Sequence, residues 1–123
     1  MTGGVSVLVV DDEPAIRLLC RVNLELDGHS VLEAASLDEA REALADGPSL
    51  VLLDLHLGAE DGLELLTEIR ADRPDVKVVL LTGTSESTDL LRGLADGFLA
   101  KPFSLDQLAS AVEQFARVES RRP

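Results

Sequence analysis

The sequence predicts an α/β domain in which helices cover both faces of a parallel β-sheet. Short β-branched runs alternate with amphipathic stretches along the whole chain, and the first of these runs, residues 5–10, is apolar at nearly every position. Hydrophobic residues make up 46% of the chain, enough for a substantial core. A length of 123 residues fits one domain over residues 1–123, with flexible ends expected at 1–4 and 119–123.

Five strand-like runs alternate with five helical stretches, and the last pair is the weaker one. The predicted strands are residues 5–10, 30–33, 50–53, 76–81 and 98–99. The predicted helices are residues 14–26, 38–44, 63–70, 86–94 and 105–118. Ser36 or Asp38 can cap the second helix, and Ser104 can cap the last. Strict alternation of this kind favours a doubly wound parallel sheet.

The charge balance excludes two classes of partner. The chain has 23 acidic and 11 basic side chains and a net charge of −12. Nucleic acids and anionic membranes would be repelled, because binding to them requires Lys and Arg to neutralise phosphates. The expected partners are therefore divalent cations and basic protein surfaces.

Cysteine usage and the first apolar run bear on the compartment. Cys20 is the single cysteine, so no intrachain disulfide can form, as in proteins of reducing compartments. Residues 5–10 are too few for a signal peptide or a membrane span. The cytoplasm is therefore the expected location.

Polar side chains stand at the carboxyl ends of four predicted strands. In chain order they are Asp11 and Asp12, then Asp54, then Thr82, then Lys101. The carboxyl ends of parallel strands share one edge of the sheet, where doubly wound folds bind their ligands. Three carboxylates at one edge repel one another unless a pKa rises or a cation binds among them.

The residue types at this edge indicate phosphoryl chemistry. Oxygen ligands, with no Cys or His evidently directed at the site, suit Mg²⁺ better than zinc. A carboxylate beside Mg²⁺ can act as a nucleophile toward phosphorus, because the metal neutralises the phosphoryl oxygens. Lys101 can bind a second phosphoryl oxygen, and Thr82 can donate a hydrogen bond to a third. The pattern predicts a phosphoryl-acceptor site.

Four motifs resemble one known family. They are Val9-Val10-Asp11-Asp12-Glu13-Pro14, Val51-Leu52-Leu53-Asp54-Leu55, Leu80-Leu81-Thr82-Gly83 and Lys101-Pro102-Phe103. In their order and spacing they resemble the receiver domains of bacterial two-component response regulators, the CheY-like superfamily. The resemblance implies a flavodoxin-like fold with a five-stranded sheet of order 2-1-3-4-5. It also implies a regulatory phosphoacceptor that catalyses only its own phosphorylation and dephosphorylation.

The resemblance also implies what the pocket residues do. Asp54 would accept a phosphoryl group from a sensor histidine kinase or a phosphotransfer protein. The Mg²⁺ ligands would be Asp11, Asp12, Asp54 and the backbone carbonyl of His56. Lys101 would form ion pairs across the pocket and precede a cis peptide bond to Pro102.

Other roles implied by the resemblance concern the switch and its lifetime. Thr82 would move to bond the phosphoryl group, and Phe98 would swing inward behind it. His56 and Thr84, two positions beyond Asp54 and Thr82, would tune the lifetime of the phosphoryl group.

Two departures from the family pattern lead to specific expectations. Gly58 replaces the usual proline after Asp54, so the loop should be more flexible. The stretch from Thr82 to Lys101 is about one helical turn short, which predicts a shortened or distorted fourth helix. A regular helix of three or more turns between residues 86 and 96 would contradict that prediction.

The sequence is compatible with several alternative functions. A degenerate receiver could act through protein contact without phosphorylation. An aspartyl phosphatase using Mg²⁺ would normally carry a second Asp where His56 stands. A flavin-binding module is disfavoured, because Thr82-Gly83-Thr84-Ser85 follows the wrong strand. The output partner is unknown, and a weak homodimer through the last two helices is a further alternative.

Overall fold

A computed structural model of the chain describes residues 4–83 and 91–120, with side chains described up to residue 115. The strands are β1 (Ser6–Val10), β2 (Ser30–Ala34), β3 (Leu50–Asp54), β4 (His56–Leu57), β5 (Glu60–Asp61), β6 (Lys77–Thr82) and β7 (Gly97–Ala100). The helices are α1 (Pro14–Leu26), α2 (Leu37–Leu44), α3 (Gly62–Asp72) and α4 (Leu105–Ser120).

Five of these strands form one parallel sheet in the order β2-β1-β3-β6-β7. Counting only those five strands, the order is 2-1-3-4-5. The chain order reverses between β1 and β3, and this switch point is where a doubly wound sheet opens a crevice at its carboxyl edge. The predicted fold class and strand order are confirmed.

The sheet has an apolar layer on each face, which explains why β1 is a continuous hydrophobic run. Leu8 and Val10 pack in one layer with buried residues of α2 and α3. Val7 and Val9 pack in the other layer with buried residues of α1 and α4. Because successive side chains of a strand point to opposite faces, both faces need apolar residues.

The predicted helix caps are resolved by side-chain hydrogen bonds. Ser36, rather than Asp38, caps α2, because its hydroxyl accepts from the Glu39 amide at 3.2 Å. At α4, Ser104 accepts from the Gln107 amide at 3.1 Å, and Gln107 Oε1 accepts from the Ser104 amide at 2.8 Å. This reciprocal pair is a capping box and fixes where the last helix begins.

The structure describes only the end of the predicted fourth helix, and this end agrees with the expectation of a shortened or distorted helix. Residues 91–96 contain no α-helix in the described chain, so a regular helix does not extend to Asp96 before β7 begins at Gly97. Residues 84–90, which include Thr84, lie outside the described residues.

Among the described helices, none combines the length and the apolar character that crossing a membrane requires.

Candidate functional site

The carboxyl edge of the sheet brings three acidic residues together as predicted. Asp11 and Asp12 follow β1, and Asp54 is the last residue of β3. Each offers a carboxylate oxygen, and these three oxygens lie within 4.8 Å of one another. Asp11 is fully buried and Asp54 is only 6% exposed, whereas Asp12 faces solvent.

Lys101 neutralises part of this charge from the end of β7. Its Nζ lies 2.7 Å from Asp11 Oδ2, 3.0 Å from Asp54 Oδ2 and 3.2 Å from Glu13 Oε1. Burial alone would lower the pKa of Lys101, but the hydrogen bonds and negative charges of Asp11 and Asp54 outweigh it and raise that pKa. The lysine is therefore a permanent cation that holds two strand ends together.

Asp11 and Asp54 are oriented by the same kind of hydrogen bond to a nearby backbone amide. Asp11 Oδ1 accepts from the amide of Glu13 at 2.9 Å, and Asp54 Oδ1 accepts from the amide of His56 at 2.9 Å. A carboxylate that accepts from the amide two residues later forms an Asx-turn. With Oδ1 held in this way, the Oδ2 atom of each aspartate is directed at Lys101.

The donor set fits a hard divalent cation. Asp11 Oδ2 is buried, and the polar contact given for it among the described residues is the ion pair with Lys101 at 2.7 Å. Burial is the main reason that the pKa of Asp11 is raised, and the nearby charge of Asp54 adds to it. A bound cation would stabilise the charged form of this buried carboxylate, and carboxylate oxygens are the ligands that such ions prefer.

The loop after Asp54 is a short β-hairpin, which the sequence did not indicate. β4 pairs with β5 in antiparallel fashion, His56 opposite Asp61 and Leu57 opposite Glu60. Gly58 has φ +62° and Ala59 does not have a positive φ, the pattern of a type II′ turn. Gly58 thus meets a conformational requirement of this turn.

Gly62 lets the hairpin close against the phosphoacceptor candidate. An added Cβ at this position would lie 2.4 Å from the backbone oxygen of Asp54 and 2.9 Å from Cα of Leu55. The Gly62 amide also donates to the Leu55 carbonyl at 2.8 Å. Only glycine permits this approach, so the loop packs directly on the backbone that presents Asp54.

The remaining predicted site residues lie at different depths. Thr82 is buried at the end of β6, and its carbonyl accepts from the Lys101 amide at 2.7 Å. Phe98 is half-buried and packs on the core layer that α2 and α3 share. His56 is exposed on β4, and the peptide bond between Lys101 and Pro102 is cis as expected.

Two residues with contacts to the pocket carried no predicted role. Glu13 is the third carboxylate that contacts Lys101. The sequence feature that could have identified Glu13 is its position directly before Pro14, at the start of α1. Arg17 donates from Nη1 to the backbone carbonyl of Asp11 at 2.7 Å. Arg17 follows Glu13 by about one helical turn, but no local pattern identifies a side-chain contact to a carbonyl.

The chain is similar to known proteins along nearly its whole length. Residues 7–113 match the family described as "Response regulator receiver domain". The chain is 34% identical to the phosphate regulon transcriptional regulatory protein PhoB of Pseudomonas aeruginosa, a match covering 93% of the chain and 52% of PhoB. It is 39% identical to the KDP operon transcriptional regulatory protein KdpE of Escherichia coli, covering 95% of the chain and 52% of KdpE.

The fold is also similar to that of a solved receiver domain. The receiver domain of NtrX from Brucella abortus superposes with a TM-score of 0.83 at 37% identity, covering 90% of this chain and 98% of that one. Together with these matches, the doubly wound sheet and the acidic pocket with its lysine identify a phosphoacceptor regulatory domain. The chain belongs to the family of response regulator receiver domains.

Membership of this family has consequences for the site. The domain is regulatory rather than catalytic, which removes the aspartyl phosphatase alternative. The cluster of Asp11, Asp12 and Asp54 is the acidic triad typical of the magnesium site in receiver domains. A receiver domain also implies a histidine kinase as partner. The chain spans about half the length of PhoB and KdpE.

Proposed function

We propose that Asp54 receives a phosphoryl group from a phosphohistidine, carried by a sensor histidine kinase or a phosphotransfer protein. The supporting observation is the placement of its carboxylate, with Oδ1 held by the His56 amide and Oδ2 3.0 Å from Lys101 Nζ. Asp11 is fully buried, which closes it to an incoming donor. Asp54 retains slight exposure at the same cluster and is the better nucleophile.

Mg²⁺ held by Asp11, Asp12, Asp54 and the carbonyl of His56 would supply the charge that neutralises the phosphoryl oxygens. In the transfer, a carboxylate oxygen of Asp54 attacks phosphorus and the bond between phosphorus and the donor nitrogen breaks. Lys101 then exchanges its bond to the Asp54 carboxylate for one to a phosphoryl oxygen. This exchange breaks the ion pair between Asp54 at the end of β3 and Lys101, which follows β7.

We further propose that Thr82 and Phe98 carry the resulting change to the output surface. Thr82 is joined through its carbonyl to the backbone of Lys101, and Phe98 lies on the neighbouring strand β7, with Leu80 of β6 as its register partner. His56 and Thr84 would tune the lifetime of the phosphoryl group. Residues 1–123 form one receiver domain in this proposal, and the buried free thiol of Cys20 suits a reducing cytoplasm.

Intact-mass spectrometry tests the proposal directly. The protein is incubated with a small phosphoryl donor such as acetyl phosphate, with Mg²⁺ or with a chelator. We expect the mass of one phosphoryl group in the presence of Mg²⁺ and none with the chelator. Asp54→Asn should abolish the addition, whereas Asp61→Asn, an exposed aspartate of the same hairpin, should leave it unchanged.

Two results would contradict the proposal. An undiminished addition in Asp54→Asn would place the acyl phosphate on another residue. A wild-type protein that stays unmodified with acetyl phosphate and with a phosphohistidine donor would favour a receiver that acts through protein contact alone.

A further inference from the structure

We infer that Arg17 is a positioning residue for the cation site, acting through the backbone of Asp11. The inference rests on the proposed function, because it concerns the Mg²⁺ pocket assigned there. Arg17 lies one turn inside α1 and contacts none of the three carboxylates of the triad through its described hydrogen bonds. Its partners are the Asp11 carbonyl and the carboxylate of Glu33 on β2.

Three of the four polar atoms of Asp11 form hydrogen bonds that do not involve Lys101. Its amide donates to the carbonyl of Ala34 at 3.1 Å, its carbonyl accepts from Arg17 Nη1 at 2.7 Å, and Oδ1 accepts from the Glu13 amide at 2.9 Å. The fourth atom, Oδ2, is buried and forms the ion pair with Lys101 Nζ at 2.7 Å. The position of Oδ2 therefore depends on the other three contacts as well as on Lys101.

Of these three hydrogen bonds, the one to the Asp11 carbonyl has a side chain as its donor, that of Arg17. Arg17 is 18% exposed, so its bond to the carbonyl is largely shielded from competing water. A charged donor to a buried carbonyl is among the stronger protein hydrogen bonds. Without it, Asp11 would lose one of its anchors, and its carboxylate would be held less firmly for a cation. Outer-shell partners of this kind typically change metal affinity 10- to 100-fold.

Arg21 provides a matched control within the same helix. It lies one turn beyond Arg17 and pairs with the other oxygen of Glu33 at 2.9 Å. It is 50% exposed, and its described contacts do not include Asp11. Removing Arg21 therefore disturbs the same pairing between α1 and β2 without removing the bond to the Asp11 carbonyl.

The experiment compares Arg17→Met, Arg17→Lys and Arg21→Met in the full chain. Methionine keeps the apolar stem, and lysine keeps the charge but cannot bridge the carbonyl and Glu33 as a guanidinium can. The affinity for Mg²⁺ is measured by isothermal titration calorimetry, since the chain has no Trp or Tyr as a fluorescent reporter. Amide hydrogen exchange of Glu13, measured by NMR in metal-free protein, reports the Asp11 turn directly.

We expect Arg17→Met to weaken Mg²⁺ binding by about tenfold or more and to accelerate exchange of the Glu13 amide. Arg17→Lys should fall between wild type and Arg17→Met, and Arg21→Met should match wild type in both measurements. Equal effects of Arg17→Met and Arg21→Met, or no effect of either, would overturn the inference. If wild type itself failed to bind Mg²⁺, the metal assignment would fail separately, and Glu13 exchange would still decide whether Arg17 positions Asp11.

Discussion

At the scale of single residues, the pocket is an arrangement of charges held in place by short-range hydrogen bonds. Asp11 and Asp54 use the same turn to fix one oxygen and direct the other at Lys101. One lysine therefore faces three carboxylates, counting Glu13. Asp12 adds a further negative charge within reach of the other two aspartates. This excess of negative charge is what a divalent cation would neutralise.

Mg²⁺ should stabilise the folded protein, because a ligand that binds only the native state shifts unfolding by mass action. At a concentration one hundred times Kd the gain is about 2.7 kcal/mol, measured as a rise in Tm by differential scanning calorimetry. Asp12→Asn should lose most of this gain, since it removes one of the three negative charges of the triad.

Asp12 is exposed, so this substitution should leave the metal-free fold intact. Asp27→Asn, at the far end of α1, is the control and should respond to Mg²⁺ like wild type. A Tm that is insensitive to Mg²⁺ in wild type would refute the cation site.

At the scale of elements, the hairpin β4–β5 connects the pocket to the neighbouring helix. Glu60 of β5 accepts from the amide of Leu37 at 3.0 Å, where α2 begins. A carboxylate at this position complements the positive end of the helix dipole. The hairpin thus spans from the Asp54 backbone, which Gly62 contacts, to the start of α2.

Gly58→Ala should destabilise the protein by about 1–2 kcal/mol, because an L-residue at positive φ is strained. Gly93→Ala is the control, since its φ is not positive and an added Cβ meets nothing within 4 Å. Urea unfolding measures both. Similar stabilities for the two variants would show that the turn does not require glycine.

The sequence predicted strands and helices wherever their pattern extended over several residues. The run in β1 and the spacing in α1 were sufficient to locate both within a residue. The hairpin was missed because strands of two residues carry no periodic signal. The contacts of Glu13 to Lys101 and of Arg17 to a carbonyl were missed because they depend on how distant elements meet. The pocket aspartates were found because strand ends of a parallel sheet must converge.

At the scale of the whole molecule, the apolar layers reach directly beneath the acidic pocket. Cys20 of α1 is fully buried in the layer that contains Val7 and Val9. Burial, together with the negative charge of Asp11, raises the pKa of the Cys20 thiol from 9.0 to about 12. The folded protein therefore holds a proton on Cys20 over a range in which the unfolded chain releases it.

Stability should fall with rising pH between about 9 and 12 because of this thiol. In that window the folded state binds more protons than the unfolded state, so the free energy of unfolding decreases by roughly 1.4 kcal/mol per pH unit. Below pH 9 the thiol is protonated in both states and contributes no slope.

Urea unfolding of wild type and Cys20→Ala at pH 8 to 11 measures the effect. The variant should start from a lower stability, because it leaves a small cavity, but it should show a shallower alkaline decline. Parallel declines in the two proteins would show that Cys20 does not titrate with a raised pKa.

Locating the phosphoryl group on the chain shows whether Asp54 carries it. Protein phosphorylated in the presence of Mg²⁺ is reduced with borohydride, which converts an acyl-phosphorylated aspartate into homoserine, and is then sequenced by tandem mass spectrometry. We expect homoserine at position 54 alone. Homoserine at position 11 or 12, with position 54 unchanged, would contradict it.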